Sequence, residues 1–455
     1  PCYSTETENR GVKVGFNTMA VLRPSLPGAV DGSVSFCNLA LTKLIILHLK
    51  SLLYISYYFP PCGLSGVMRA LKFVKYLPRH GWRPLVLCAG GFRFLAEDHS
   101  LLEEVPSEAA VERVDVPEPY SFSGKRGPSP RAKARGAGLA SWLSFPDTRA
   151  LWVARGFRKG LEVIRRERPV AILATSPPYS SFILGRKLSE RTGLPLILDY
   201  RDLWHGNAYR IYPTPIHSAW NRKAEERVLR SASAVITINE AMARHLMKEF
   251  GIIARVITHG YDPEDFADSP AARGEIMRIL YAGSFFRRTD PSWFLEGLRL
   301  MRQRQPDAKV GLTWAGIGSY PVEEMVVQKG LADIFRHLPY IGHRESCRLM
   351  QEHDLLWVLV GRGEGPEVST VKAYDYLGAG RAIIATAPDE TDTARLIRET
   401  GGYICPPDDP ESICRALCQA YSDFKRGGLQ VPKNTEKYSI SERTKALAET
   451  LESLT

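Results

Sequence analysis

The chain has 455 residues, of which 44% are hydrophobic and 24% charged, and its formal net charge is +10. This length is more than one hydrophobic core usually serves, so we expect a globular protein with two large domains. The positive charge suits nucleic acid, anionic membrane or phosphorylated ligands. The sequence has no zinc-finger spacing, no RNA-binding sheet motif and no long Lys/Arg run, which argues against nucleic acid.

The eight cysteines are scattered and form no Cys-x-x-Cys pair. This pattern predicts reduced, mostly buried thiols in a cytoplasmic protein, and it argues against both a disulfide framework and a zinc site.

Residues 1–50 fit no regular element, and we expect them to be a disordered extension or one that does not belong to the fold. The run 38–59 is apolar but contains Lys43, His48 and Lys50. A membrane span needs about 20 apolar residues with almost no charge, so we do not expect this run to be one.

The N-terminal domain is predicted to occupy residues 51–262. A strand over 51–60 leads into a loop with Gly63 and Gly66, and a helix follows. In open α/β sheets such a loop, at the carboxyl end of a strand, is a place where ligands bind, although Gly-x-x-Gly alone also fits a simple tight turn. The strands and helices that follow alternate, which predicts a mostly parallel, doubly wound sheet.

Residues 117–148 interrupt this alternation with an irregular, basic stretch. It is either a mobile surface loop or a loop that touches an anionic membrane or a phosphorylated lipid acceptor. Its apolar anchor would be Trp142, Leu143 and Phe145, and its basic residues are Lys125, Arg126, Arg131, Lys133 and Arg135.

A buried strand, LPLILDY, ends near three charged residues, Asp199, Arg201 and Asp202. Asp202 would face the cleft between the domains, where a carboxylate could orient an acceptor hydroxyl or stabilise an oxocarbenium ion. Asp199 and Arg201 could instead form a structural ion pair. His205 and His259 also lie near strand ends, where a lone histidine is more often structural than catalytic.

Residues 263–274 are polar and contain no strand, so we predict a linker there, followed by a second α/β domain over 275–435. In this domain Gly283 and Gly316 end the first two strands. Residues 436–455 form an amphipathic helix, predicted to be capped by Ser441, that could pack back on the N-terminal domain.

The stretch Gly361–Thr386, GRGEGPEVSTVKAYDYLGAGRAIIAT, lies between two apolar strands. A glycine-rich loop opens a helix near Ser369 and Thr370, and free main-chain N–H groups at a helix start bind anions. Glu367 precedes the helix and Asp375 lies within it. Acids beside a phosphate site are suited to sugar hydroxyls, which indicates a ligand with both phosphate and sugar.

With both halves in view, residues 51–455 resemble the GT-B nucleotide-sugar glycosyltransferases, most closely glycosyltransferase family 4. The family's Glu-x7-Glu pattern reads Glu367-x7-Asp375 here, and YLGAGRAIIA resembles the helix end and strand that follow it. The PPCGLSG loop, the DYRDLW turn and the strand ends AGSFFRR and WAGIG add to the resemblance. It implies two Rossmann-like domains facing across a cleft, with acceptor bound by the first and donor by the second.

The resemblance implies roles for several residues. Glu367 would hold hydroxyls of the donor sugar, and Asp375, one methylene shorter than the family's Glu, would hold the ribose. Arg287 and Arg288 match the place of the basic residues that bind the diphosphate. The nucleobase pocket would involve main-chain atoms near His343. The resemblance also implies retention of anomeric configuration.

Charge that builds on the leaving diphosphate must be neutralised. The sequence has no Asp-x-Asp motif to hold a metal, so we expect no metal cofactor. Arg287, Arg288, Lys372 and the helix start at Ser369 and Thr370 could do this instead, although the arginines could also be solvated and Lys372 an exposed helical lysine. The donor-binding residues predicted in all are Gly63, Gly66, Gly283, Arg287, Arg288, Gly316, Ser369, Thr370, Lys372 and Asp375, and the predicted catalytic residues are Glu367 and Asp202.

The leading hypothesis is a metal-independent glycosyltransferase acting on a glycan or lipid-linked acceptor in envelope or exopolysaccharide synthesis. It would be cytoplasmic, with peripheral contact to an anionic membrane. The alternatives are a phosphorylase, a sugar-nucleotide epimerase and a non-catalytic nucleotide-sugar-binding protein of the same fold. A phosphorylase would need a lysine motif for pyridoxal phosphate, and none is recognisable.

Overall fold

The structure is a computed structural model. It describes residues 48–92, 94, 96–116, 145–207, 210, 212–266, 274–286 and 288–455. Arg287, most of the N-terminal extension and the basic loop as far as residue 144 therefore lie outside the described residues.

The first sheet has seven parallel strands in the order β3-β2-β1-β4-β5-β6-β7. Its strands are β1 Lys50–Ile55, β2 Trp82–Gly90, β3 Ala110–Asp115, β4 Ala171–Ser176, β5 Leu196–Tyr200, β6 Ala234–Thr237 and β7 Arg255–Val256. The helices of this half are α1 Met68–Tyr76, α2 Leu151–Glu167, α3 Ser180–Thr192, α4 Pro215–Ser231 and α5 Glu240–Phe250.

The second sheet has six parallel strands in the order β10-β9-β8-β11-β12-β13. Its strands are β8 Met277–Ala282, β9 Val310–Ala315, β10 Phe335–Leu338, β11 Leu355–Leu359, β12 Ala382–Thr386 and β13 Tyr403–Cys405. The helices of this half are α6 Ser292–Arg304, α7 Val322–Gln328, α8 His343–Glu352, α9 Val371–Ala379, α10 Asp392–Thr400 and α11 Pro410–Lys425. Both sheets have the doubly wound order, which places ligand sites at the carboxyl ends of the strands.

Each sheet is buried on both faces because side chains alternate along its strands. In β1, Leu53 and Ile55 join one hydrophobic cluster while Leu52 and Tyr54 join the cluster on the other face. This is why the central strands are apolar throughout.

The last helix, α12 (Ile440–Glu452), packs on the N-terminal half, where Leu447 and Leu451 are buried in the same cluster as α1. It begins two residues earlier than the sequence suggested. Ser439, and not Ser441, is the N-cap, since its Oγ accepts the main-chain N–H of Glu442 at 3.4 Å.

Within the described ranges the cysteines are unpaired thiols, and all of them except Cys418 are buried. In the same ranges no helix combines the length and the apolar character needed to cross a membrane.

Candidate active site

Three glycine-containing loops meet at the carboxyl edge of the second sheet. A Cβ on Gly316 would lie 2.1 Å from the carbonyl oxygen of Gly283, and one on Gly361 would lie 1.7 Å from that of Arg288. The N–H groups of Gly283 and Gly316 are already donated, to Ala315 and Leu338. These two glycines therefore contribute space for close packing, and their N–H groups are engaged within the sheet edge.

Lys372 lies on α9 and reaches this edge. A Cβ on Gly283 would be only 2.1 Å from Lys372 Nζ, so the absence of a side chain there gives the amine its place. The amine donates to Tyr281 Oη at 3.0 Å and lies 4.1 Å from the centroid of that ring. Burial lowers the pKa of Lys372 to about 8, against the opposing effect of Asp375. Lys372 is thus a half-buried group of the candidate site and not an exposed helical lysine.

Glu367 lies in the loop before α9, and its side chain is half-buried. Its carboxylate lies over Gly365: a Cβ on Gly365 would come within 2.4 Å of Glu367 Oε2. Among the residues that the structure describes, no side-chain hydrogen bond engages this carboxylate, so its acceptor capacity is available to a ligand.

The main chain of Glu367 is held by the other domain. Asn239, the N-cap of α5, accepts the N–H of Met242 at 2.9 Å and donates from Nδ2 to the carbonyl oxygen of Glu367 at 2.8 Å. Sequence analysis missed this residue. An Asn between a strand and a helix signals an N-cap, but nothing in the sequence shows its second bond across the domains.

The helix starts where the sequence predicted it, next to Ser369 and Thr370. The helix begins at Val371, and Thr370 occupies the N-cap position without a side-chain capping bond. The hydroxyl of Ser369 donates to Asp392 Oδ2 at 2.7 Å. The N–H of Ala373 is donated to Thr370, and the preceding N–H groups of this helix start, which have no main-chain acceptor among the described residues, are the part of the segment suited to an anion.

Asp375 lies one turn further along α9, half-buried in a small cavity between the domains. Burial raises the pKa of Asp375 to about 6, with an opposing effect of His343 and a reinforcing one of Asp265. Lys72 and His259 line the same cavity. Asp375 and Lys372 each act on the pKa of the other, so the two lie close enough to interact.

The cavity is closed by charged contacts between α1, the segment after β7 and α8. Lys72 Nζ binds Asp262 at 2.9 Å and Asp265 at 2.7 Å, and Asp265 in turn binds His343 Nε2 at 2.8 Å. Burial lowers the pKa of His343, but its hydrogen bonds to Asp265 and Cys347 outweigh this and leave the pKa well above its usual range.

Two groups in this region have ligand atoms within 4.8 Å of one another, as a metal ion requires. They are Asp265 with His343 and Cys347, and Glu104 with Asp262 and Asp265. The second group already surrounds the ammonium of Lys72, and two of its carboxylates, Glu104 and Asp262, also bind Lys75. Asp265 is shared by both groups, and we therefore assign a metal to neither.

Asp199 has a structural partner, but it is not the one expected from the sequence. It forms a two-pronged, buried ion pair with Arg69, whose Nη2 lies 2.8 Å from Oδ1. Arg201 instead donates to the carbonyl oxygens of Ser176 and Pro177, both at 2.9 Å. The predicted pair between Asp199 and Arg201 is therefore wrong.

Asp202 lies just past the carboxyl end of β5 and is half-buried. Burial raises the pKa of Asp202 to about 6, and the charge of Arg201 opposes this. No hydrogen bond to its carboxylate occurs among the described residues. The loop that carries it is anchored by buried Glu225, whose Oε2 accepts the N–H of His205 at 2.8 Å.

Gly63 and Gly66, in the loop after β1, form main-chain hydrogen bonds that fix this loop. Gly63 donates its N–H to Ala96, and its carbonyl oxygen accepts the Tyr340 hydroxyl of the second domain at 3.0 Å. The carbonyl oxygen of Gly66 accepts the Arg201 guanidinium. The N–H of Gly63 is thus engaged. Arg288 is half-buried beside Gly361, and Arg287 lies outside the described residues.

Of the two histidines near the strand ends, His259 is buried and His205 is half-buried. His259 is buried with its ring edge-on to Tyr374, and burial places its pKa well below the usual range. Burial also lowers the pKa of His205.

Known proteins resemble the chain in both sequence and fold. Residues 66–258 match the family Glycosyl transferase 4-like domain, and residues 277–423 match the family Glycosyl transferases group 1. Over 199 residues the chain is 24% identical to D-inositol 3-phosphate glycosyltransferase of Paenarthrobacter aurescens (strain TC1). That match covers 39% of this chain and 48% of the relative, so it spans about half the length of that protein.

Solved structures share the whole two-domain arrangement. HepE of Anabaena, in complex with UDP and glucose, superposes with a TM-score of 0.60 at 17% identity, over 89% of this chain and 100% of that one. WaaG, a glycosyltransferase involved in lipopolysaccharide biosynthesis, gives 0.53 at 14% identity, over 89% and 97%. These likenesses confirm the predicted fold of two Rossmann-like domains. With the two family matches in succession along its length, the chain belongs to the GT-B glycosyltransferases of the family 4 type.

Proposed function

We propose that this protein is a retaining, metal-independent glycosyltransferase that moves a sugar from a nucleotide sugar to a glycan or lipid-linked acceptor. The observation that carries the proposal is the position of Glu367, a half-buried carboxylate without a side-chain hydrogen bond among the described residues, directly before the start of α9. A helix start suits the diphosphate, and a free carboxylate beside it suits the hydroxyls of the attached sugar.

The remaining residues of the site divide the work of transfer. Lys372, Arg288, Arg287 and the N–H groups at the start of α9 neutralise the charge that builds on the leaving diphosphate. Asp375 accepts hydroxyls of the ribose from its position near His343 and Lys372. Asp202, without a side-chain hydrogen bond among the described residues, orients the acceptor hydroxyl or stabilises the oxocarbenium-like transition state.

The similar proteins support a nucleotide-sugar donor and a role in making envelope or secreted polysaccharide. HepE was solved with UDP and glucose, and WaaG is involved in lipopolysaccharide biosynthesis. We infer a cytoplasmic enzyme that meets its acceptor at the inner face of the membrane, where the basic residues between 125 and 135 would contact anionic lipid.

A donor screen tests the proposal. The protein is incubated with uridine, guanosine and adenosine diphosphate sugars, with and without a chelator, and release of nucleoside diphosphate is followed. We expect turnover of one donor class at a rate that the chelator leaves within about twofold, because cationic side chains perform the neutralisation. A strict metal requirement would overturn the metal-free mechanism. Tight binding of a nucleotide sugar without turnover would favour a non-catalytic binding protein, and interconversion of the donor sugar would favour an epimerase.

Lys372 predicts a pH dependence of donor binding. Its pKa of about 8 means that the amine loses its proton as pH rises through that value. Because a diphosphate binds the protonated amine, the contribution of Lys372 to affinity, taken as the ratio of the unaltered protein to Lys372→Met, should be constant below pH 7 and fall by up to about tenfold per pH unit well above pH 8. Calorimetric titration with a nucleoside diphosphate at several pH values between 6 and 10 measures this.

In Lys372→Met the affinity should be lower by about a hundredfold at pH 7, and the break near pH 8 should be absent. A break of the same size in the variant would exclude Lys372 as its origin.

A further inference from the structure

An open groove lies between α3 and α4 on the N-terminal domain, apart from the candidate active site. It encloses about 650 Å³, and its exposed lining is almost entirely apolar. It is lined by Phe145, Ile183, Arg186, Lys187, Trp220, Lys223, Ala224, Arg227 and Val228.

The rim of the groove is positively charged. Lys187, Lys223 and Arg227 form no ion pair with any described residue, whereas Arg186 is paired with Glu190 at 2.7 Å. Among the described residues that line the groove none is acidic. Three cations that form no ion pair among the described residues, arranged around an apolar floor, are electrostatically complementary to an anionic surface.

Large apolar side chains project from the same region. On α4, Ile216 and Trp220 follow each other at one helical turn and are 60% and 59% exposed. Phe145, on the groove wall, is 41% exposed. A tryptophan flanked by basic residues is typical of side chains that reside at the interface between lipid and water.

The groove is placed where a membrane contact could serve the enzyme. Helices α3 and α4 begin after β4 and β5, at the carboxyl edge of the first sheet, and Asp202 lies in the loop between β5 and α4. The lining begins within the first two turns of each helix, at Ile183 and Trp220, on the domain that carries this predicted acceptor residue.

We propose that the groove between α3 and α4 docks on the surface of an anionic lipid bilayer, with Trp220 inserted at the interface and Lys187, Lys223 and Arg227 facing lipid phosphates. This rests on the proposed function, which brings the enzyme to an anionic membrane, and names the surface that docks there; vesicle binding without a donor tests it separately from the donor screen. None of the residues that line the groove belongs to the stretch 125–135, so the two sets can be altered separately by mutation.

Flotation with vesicles tests the inference on the full-length protein without nucleotide sugar. The protein should bind vesicles containing phosphatidylglycerol and not vesicles of phosphatidylcholine alone, and binding should weaken as salt is raised. Lys223→Gln with Arg227→Gln should lower the partition constant by about 30-fold, since each basic residue at such a surface contributes about fivefold. Trp220→Ala should lower it further, by removing the interfacial anchor.

Matched variants away from the groove provide the controls. Trp293→Ala removes another exposed tryptophan, on α6, and Lys248→Gln with Arg336→Gln removes two cations that likewise have no ion pair with any described residue. Both should bind vesicles like the unaltered protein, and circular dichroism should show all variants folded. The inference is overturned if the unaltered protein binds neither vesicle type, binds both equally, or binds unchanged when the groove is altered. It is also overturned if sedimentation shows a dimer that Trp220→Ala dissociates while vesicle binding persists, because a second copy then covers the groove.

Discussion

Replacing Glu367 by glutamine should lower the rate of sugar transfer by about a hundred- to a thousandfold, while nucleoside diphosphate still binds. Glutamine keeps the shape of the side chain but removes its charge and turns one acceptor into a donor. The carboxylate has no side-chain hydrogen bond among the described residues, so the loss should come from contacts to the donor sugar. Single-turnover kinetics and nucleotide titration, measured on the same preparation, separate the two effects.

Glu390→Gln is the matched control. Glu390 is an exposed acid in the loop after the neighbouring strand β12, at the same edge of the sheet. It should transfer sugar at the rate of the unaltered protein. If Glu367→Gln also does so, Glu367 is not the sugar-binding acid. A loss of nucleotide binding and of thermal stability in Glu367→Gln would instead assign it a structural role through the loop that Asn239 holds.

The fold followed from local signals in the sequence. Apolar strands bounded by glycines, each with a helix after it, are governed by contacts close in sequence and by burial on both faces of a parallel sheet. The helix start between Glu367 and Asp375 was visible for the same reason, since loop, helix and strand are consecutive there. The structure has Thr370 as the N-cap, as expected, but the sequence could not show that the hydroxyl of Ser369 donates to Asp392.

Contacts between residues that are far apart in sequence could not be predicted from these local signals. Lys372 is seated over Gly283 and bound to Tyr281, and Asn239 holds the main chain of Glu367 from the other domain. Each contact depends on how strands are ordered within a sheet or how two domains meet. Charges close in sequence, such as Asp199 and Arg201, suggest a pair, but Asp199 is bound by Arg69 of α1, 130 residues away in the chain, and Arg201 donates to main-chain carbonyl oxygens instead.

The true partner of Asp199 leads to the second large expected effect. Arg69→Met should lower the free energy of unfolding by about 3–5 kcal/mol, because it leaves the Asp199 carboxylate buried without its counter-charge. Both side chains of the pair are almost fully buried, at 2% and 1% exposure. The same guanidinium donates to the carbonyl oxygens of Thr258 and Ile257, at 2.7 and 2.9 Å, so its loss also leaves main-chain acceptors unpaired just before the segment that joins the domains.

An exposed ion pair just after α1 provides the control for the Arg69 variant. Arg79 binds Glu264 at 2.7 Å, but both side chains are about half exposed, so Arg79→Met should cost at most about 1 kcal/mol. Denaturant unfolding followed by circular dichroism measures both.

If burial of charge is the cause, adding Asp199→Asn to Arg69→Met should restore part of the lost stability. A neutral amide is less costly to bury and can keep the hydrogen bond from Thr175 at 2.9 Å. Equal losses in the Arg69 and Arg79 variants would show that desolvation of Asp199 does not govern the stability of this domain. A larger loss of stability in Arg69→Met than in Arg79→Met, partly restored by Asp199→Asn, would show that Asp199 stabilises the fold. Asp202, three residues on in the loop after β5, would then be the acid that is available to the acceptor.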